Sequence, residues 1–221
     1  MTTLDGLLRT IADPAQPFLT YYDAASGERV ELSAVTTANW VAKTSNFLVD
    51  GLDAENGTRI RLDLPTHWES FVWILSAWSV GAVLTDRDAD IAVVSPPLEA
   101  DEKTRVALSL KPLGMRFDNA PDGFVDYNAE VLGHSDHFQA FDPPTPDTPA
   151  LDVDGLIQSH DELFESTRPR PGRVLLQPGT LARDCAAVIA ASRGIGSLVV
   201  TANATSVQRD KIAADEHAVL L

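Results

Sequence analysis

The 221-residue chain carries 32 acidic against 17 basic side chains, a net charge of −15, and 44% of its residues are hydrophobic. That apolar content supplies a sizeable core and excludes a disordered chain, while the acidity excludes nucleic acid and anionic membrane surfaces, both of which need cations facing them. The one cysteine, Cys185, cannot form an internal disulfide, and "MTTLDGLLRTIADPAQ" lacks the basic start and long apolar run of a signal peptide, so a cytoplasmic protein is expected.

In chain order, residues 3–12 read as a short amphipathic helix. "FLTYYDAASGERVEL" reads as two strands joined by a turn at Ser26-Gly27. Ser33 caps a helix that Gly51 stops, with Val35, Ala38, Ala42 and Val49 at helical spacing. "TRIRLDL" alternates as a strand. Thr66 and Glu69 then have the spacing of a capping box ahead of "SFVWILSAWSVG", a helix apolar nearly all round and therefore buried. The stretch is too short to span a bilayer. "AVLT" and "IAVVS" are continuous β-branched runs, as in a parallel sheet covered on both faces.

A second cycle follows: a helix near 98–109, a strand "GMRF" and a helix around "YNAEVLG". Prolines 143, 144, 146 and 149 mark residues 141–152 as an extended linker or loop, because each fixes its own φ and turns its predecessor away from helix. Beyond it come a helix at 160–166, strand "RVLLQ", helix 179–192, strand "SLVV", helix 205–214 and a last strand "HAVLL". Strands alternating with helices predict an α/β fold of mostly parallel sheet layers flanked by helices. The chain reads as one domain over 1–221, its subregions 1–140 and 153–221 joined by the Pro-rich loop 141–152.

Most chemical motifs fail on their own geometry. Asp86, Asp88 and Asp90 stand at positions 1, 3 and 5 of a calcium loop, but Ile91 and Pro97 occupy the places of its glycine and glutamate. His134 and His137 lack a third ligand, so no metal is expected. No G-x-S-x-G elbow occurs, Cys185 reads as a buried helical residue, and the three arginines of "RPRPGR" read as a solvated connector. "SRGIG" at 192–196 spells part of a dinucleotide fingerprint. Its helix precedes the glycines and its strand follows them, the reverse of what a pyrophosphate site requires. Gly194 reads instead as a helix C-cap and Gly196 as an easy entry to the strand.

Thr20-Tyr21, Gly27, Leu32, Arg59, Leu64-Pro65 and Gly81-Ala82-Val83 hold, in order and spacing, the places of the opening pattern of the adenylate-forming superfamily. That group includes acyl-CoA synthetases, luciferases and peptide-synthetase adenylation domains. The match "PGRVLLQPGTLARDCAAVIAASRGIGSLVVT" follows in the right order. Over its whole length the chain resembles a family of short actinobacterial proteins related to the N-terminal part of these AMP-binding enzymes. The resemblance implies a truncated adenylate-forming N-terminal domain.

It also exposes a departure. The superfamily's phosphate loop, T-S-G-T-T-G-x-P-K-G, precedes a Ser/Thr-His pair matched here by Ser159-His160, with Gly155 as the loop's end. The residues before Gly155 are "PTPDTPALDVD", whose prolines remove donors and whose aspartates repel phosphate. The family's later motifs and its C-terminal lid with the catalytic lysine would lie beyond Leu221. The resemblance then implies no adenylate-forming activity, no catalytic residue and no bound cofactor. A non-catalytic binding or interaction protein is expected, acting as a homodimer or with a protein partner, since sheets shorn of covering elements expose apolar surface. The alternatives are a carrier or enzyme for a carboxylate or acyl ligand, held near His67, Trp68 and His160, and one half of a split adenylating enzyme.

Overall fold

The computed structural model describes residues 1–11 and 13–221, Thr10 by its backbone only. Two sheets enclose a layer of helices. The first has the order β12-β10-β11-β1-β2, and the second β7-β6-β5-β3-β4-β8-β9. In the first sheet, β1 (Pro17–Asp23), β10 (Arg173–Leu176), β11 (Ser197–Ala202) and β12 (Ala218–Leu220) are parallel. β2 (Arg29–Ser33) closes an antiparallel hairpin on β1. In the second, β3 (Arg59–Asp63), β4 (Val83–Thr85), β5 (Ile91–Val94), β6 (Thr104–Ala107), β7 (Val125–Asp126) and β8 (Pro149–Val153) are parallel. β9 (Leu156–Ser159) turns back on β8. This is the expected α/β class of mostly parallel sheets flanked by helices.

α2 (Trp68–Val80) lies between the sheets, touching β1 of one and β3 and β4 of the other. Trp68, Phe71, Trp73, Ile74 and Trp78 are all buried, which is why the helix is apolar on every side. α1 (Ala34–Asn46) packs on α2, capped by Ser33, whose side chain accepts from the Thr36 amide; a π turn at Phe47–Gly51 ends it. α5 (Leu181–Arg193) packs on β10 and β11 and buries Cys185, whose thiol is pushed well above its usual range by desolvation. The remaining helices are α3 (Tyr127–Glu130), α4 (His160–Ser166) and α6 (Ser206–Asp215). Among the described residues no helix is long and apolar enough to cross a membrane.

The structure corrects several expectations. The helix over 3–12 is a 3-10 helix over Leu4–Thr10, and Ala12 lies outside the described residues. The helix at 98–109 is a loop followed by β6, because pairing with β5 buries Val106 and Ala107 and overrides the helical propensity of "LEADEK". The strand "GMRF" is loop beyond a 3-10 turn at Pro112–Gly114. Residues 149–152 of the Pro-rich segment, with Val153, form β8, whose first residue can be proline because a strand's opening position needs no donor.

On α1 the buried side is not Val35, Ala38 and Val49: Val35 is 48% exposed and Val49 37% exposed, while Thr37, Val41, Thr44, Ser45 and Leu48 face inward. Thr37 and Thr44 satisfy their hydroxyls on the Ser33 carbonyl (2.8 Å) and the Tyr127 hydroxyl (2.7 Å). At the end of α5, Gly194 keeps right-handed angles (φ −83°), and the left-handed position falls on Ile195 (φ 53°). A β-branched residue is strained there by about 1–2 kcal/mol. Ile195→Asn, at a side chain 63% exposed, is therefore expected to stabilise the fold by about 1 kcal/mol, read as an increase in the urea midpoint.

Candidate functional site

In parallel sheets, ligands gather where strands end and helices begin, and α2 begins beyond the carboxyl end of β3. Its N-cap is not Thr66 but His67, held extended (φ −142°, ψ 159°), whose Nδ1 accepts from the Glu69 amide at 3.2 Å. Thr66 is drawn away because its hydroxyl accepts from the Gly179 amide (3.0 Å), tying this turn to the loop after β10 in the other sheet. The capping-box spacing was present, but a tertiary bond claimed the threonine.

The site is dry. His67 and Trp68 are each 2% exposed and Glu69 is fully buried. Tyr21 meets the His67 ring edge-on (4.5 Å between centroids) and Trp40 meets Trp68 likewise (5.3 Å). Desolvation holds the imidazole down at about 4, so it is neutral; with Nδ1 accepting, its proton lies on Nε2. Burial pushes the Glu69 carboxyl up to about 8, against the opposing hydrogen bond from Asn128, whose Nδ2 donates to Oε1 at 2.7 Å. The same amide donates to the Gly114 carbonyl and its oxygen accepts from the Ser109 amide, so Asn128 also anchors the 109–115 loop over the site. Desolvation likewise raises Asp184 to about 6, beside Thr66. Three buried polar atoms, His67 Nε2, Trp68 Nε1 and Glu69 Oε2, make no hydrogen bond.

His160 does not join this cluster. It opens α4, after β9 has run back antiparallel to β8, and so lies at the amino edge of the sheet that has His67 at its carboxyl edge. Its Nδ1 accepts from the Leu4 amide (3.0 Å), its own amide donates to the Thr148 carbonyl, and desolvation lowers its pKa to about 4. It is a clamp on the N-terminal 3-10 helix. Glu69, Asn128 and Asp184 were not among the sequence-derived site residues; the signal for Glu69 was a carboxylate inside "WESFVWILSAW", an apolar run that leaves it no solvent.

Where the resemblance placed the phosphate loop, β8 passes directly to β9 through Asp154-Gly155, with φ of 55° and 79°. Val153 pairs with Leu156 across this turn, the two-residue hairpin that Asp-Gly favours. Asp154 donates its amide to Asp86 Oδ2 (2.8 Å). On β8, Asp152 receives Arg59 Nη2 at 2.7 Å and Arg87 Nη2 at 2.5 Å, so both guanidinium groups already have an anion. Ser159 then starts α4 with a complete capping box to Glu162. Among the described residues no three His, Cys, Asp or Glu side chains are grouped to hold a metal ion.

No family model matches the chain. A Mycobacterium tuberculosis (strain ATCC 25618 / H37Rv) protein described as a TIGR03089 family protein is 39% identical over 167 residues, covering 70% of this chain and 68% of that one. Among solved structures, the N-terminal domain of FACL13 from Mycobacterium tuberculosis superposes with a TM-score of 0.73 at 13% identity, over 99% of this chain and 62% of that one. A Brucella canis acyl-CoA synthetase gives 0.77 at 14%, over 99% of this chain and 47% of that one. This chain thus spans between about half and two thirds of those solved chains, and the likeness to them is one of fold. The chain belongs to the TIGR03089 family and has the fold of acyl-CoA synthetase N-terminal domains.

Proposed function

We propose that the protein is a non-catalytic binding or interaction protein derived from adenylate-forming enzymes. The observation that carries this reading is the Asp154-Gly155 turn: two residues in a tight hairpin cannot present the run of backbone N–H groups that cradles a polyphosphate. Around it the guanidinium groups of Arg59 and Arg87 are already engaged by Asp152, and Asp86 and Asp154 add further negative charge. Calorimetric titration with MgATP and with AMP is expected to show no saturable binding up to millimolar ligand. A micromolar dissociation constant for ATP would overturn the proposal.

The interaction side of the reading rests on two of the four outer strands. β9 exposes Leu156 (61%) and Ile157 (59%), and β12 exposes Val219 (73%) and Leu220 (58%). Outer strands with apolar side chains and free backbone groups favour strand addition. A homodimer through β9 is expected by light scattering at micromolar concentration, and Ile157→Lys should return it to monomer; a wild-type monomer refutes that arrangement.

A second reading, a carboxylate or acyl carrier, draws on the unpaired Nε2 of His67 and Nε1 of Trp68, adjacent donors that one carboxylate could accept from. His160 has no part in it. The Trp68 indole N–H resonance should move on titration with benzoate if this reading holds, and stay in place if it does not.

A further inference from the structure

A second site lies at the other end of α2, in a cleft of about 370 Å³ between the N-terminal 3-10 helix, α1, the C-terminal half of α2 and the 136–143 loop. Leu7, Leu8, Val41, Leu75 and Phe138 give it apolar walls. Ser45 lines it too, and although the residue is fully buried its hydroxyl makes no hydrogen bond. A serine inside a helix ordinarily turns its hydroxyl to the carbonyl four residues back. Here Ser45 Oγ does not engage that carbonyl, on Val41, which is also approached by Ser76 Oγ of α2 at 3.2 Å, a hydroxyl whose shorter bond runs to the Val72 carbonyl (2.7 Å). The Ser45 hydroxyl is left without a partner, behind the wall of the cleft.

An unmet acceptor matches this unmet donor. Asp5, also in the lining, spends Oδ2 on Arg9 (3.0 Å), while its Oδ1 is buried without a partner. The cleft mixes these apolar walls with polar side chains, Ser79, His137 and Gln139 among them, and its unpaired buried hydroxyl and carboxylate oxygen fit a group that both donates and accepts, a hydroxyl. Charge narrows the class further. Asp5 and Asp136 line the cleft with Arg9, whose charge the Asp5 pair already offsets, on a chain of net charge −15, so an anion is disfavoured. The volume is at the small end for ligand sites.

From these we infer that the cleft between α1, α2 and the N-terminal 3-10 helix binds a small uncharged apolar alcohol or phenol, whose hydroxyl engages Ser45. This site is independent of the His67 region and of the nucleotide question.

The test is an amide-resolved NMR titration of the whole chain with phenol, toluene and benzoate. Phenol is expected to produce saturable shifts centred on Ser45, Leu75 and Phe138, with a dissociation constant about fivefold below that of toluene, the worth of one hydrogen bond. Benzoate should produce none there. Ser45→Ala should bring phenol to the toluene value while leaving the unliganded fold as stable or more so, since it deletes an unpaired buried hydroxyl. Ala42→Leu, which fills the cleft from α1, should abolish both. Equal affinities of the wild type for phenol and toluene, shifts centred elsewhere, or no saturation would each overturn the inference.

Discussion

Gly194→Ala is expected to destabilise the fold by about 3 kcal/mol or more, and Gly196→Ala by a similar amount. A Cβ on Gly194 would lie closer than 3.0 Å to the carbonyl of Arg170 and to the nitrogen of Pro171, and one on Gly196 would meet the carbonyls of Gly172 and Arg170 at similar range. Backbone cannot swing aside as a side chain would. The segment is also tied down, since the Arg170 amide donates to the Ala190 carbonyl (2.8 Å) and the Gly172 carbonyl accepts from the Ser197 amide (3.0 Å). Gly133 provides the control: an added Cβ there meets nothing within 4 Å, so Gly133→Ala should change stability by no more than about 0.5 kcal/mol. Urea unfolding of the three variants reads the effect. A Gly194→Ala protein as stable as wild type would refute the constraint set by the close passage of these two chain segments.

Glu69 gives the second large effect, and its sign is opposite to that of an ordinary carboxylate. Burial raises its pKa from 4.5 to about 8, so at neutral pH the folded state holds a proton that the unfolded state has released. Stability is then greatest below 4.5 as far as this group is concerned, and falls as pH rises through 8. At lower pH other groups intervene. His67 and His160, lowered from 6.5 to about 4, remove stability as pH falls from 6.5, while Asp184, raised from 3.8 to about 6, acts in the same sense as Glu69. In the interval from 6.5 to 8 Glu69 is the largest contributor, opposed by the last of the histidine titration in the unfolded state. Across it the unfolding free energy is expected to drop by roughly 1 kcal/mol. Glu69→Gln keeps an oxygen for the Asn128 amide (2.7 Å) and cannot titrate, so its stability should not fall over that interval and should exceed wild type at pH 8. A wild-type profile with no fall between 6.5 and 8 would mean that water reaches this carboxyl.

The order of elements was legible wherever one residue pattern had one reading. "SFVWILSAWSVG" has no polar side, and α2 is buried on every side; "RVLLQ", "SLVV" and the helices between them follow in sequence as β10, α5, β11, α6 and β12. What was not legible depended on partners distant in the chain. β6 was read as helix because its partner β5 is invisible to local propensity, and the cap of α2 passed to His67 because Gly179 engages Thr66. The inward side of α1 was misassigned for the same reason. Thr44 is content inside only because Tyr127 meets it, so a pattern of apolar residues pointed to the outer side. The candidate site was half visible: His67 and Trp68 are adjacent in sequence, whereas Glu69 was explained away as a cap, and His160 was grouped with them by family position, not by proximity. The Asp154-Gly155 hairpin could have been read directly, since Asp-Gly between two short β-prone runs is among the strongest local turn signals.

That same hairpin makes its turn apart from the core. Its strands are aligned by backbone pairing, and its tip is outside the core, with Asp154 and Gly155 both exposed. Lengthening a connection from two residues to about twelve adds only about 1.5 kcal/mol of closure entropy. The sheet would therefore accept a glycine-rich insert at this point as readily as it does without one. In this architecture the β8–β9 turn is a socket into which a longer loop could be grafted without redesigning anything beneath.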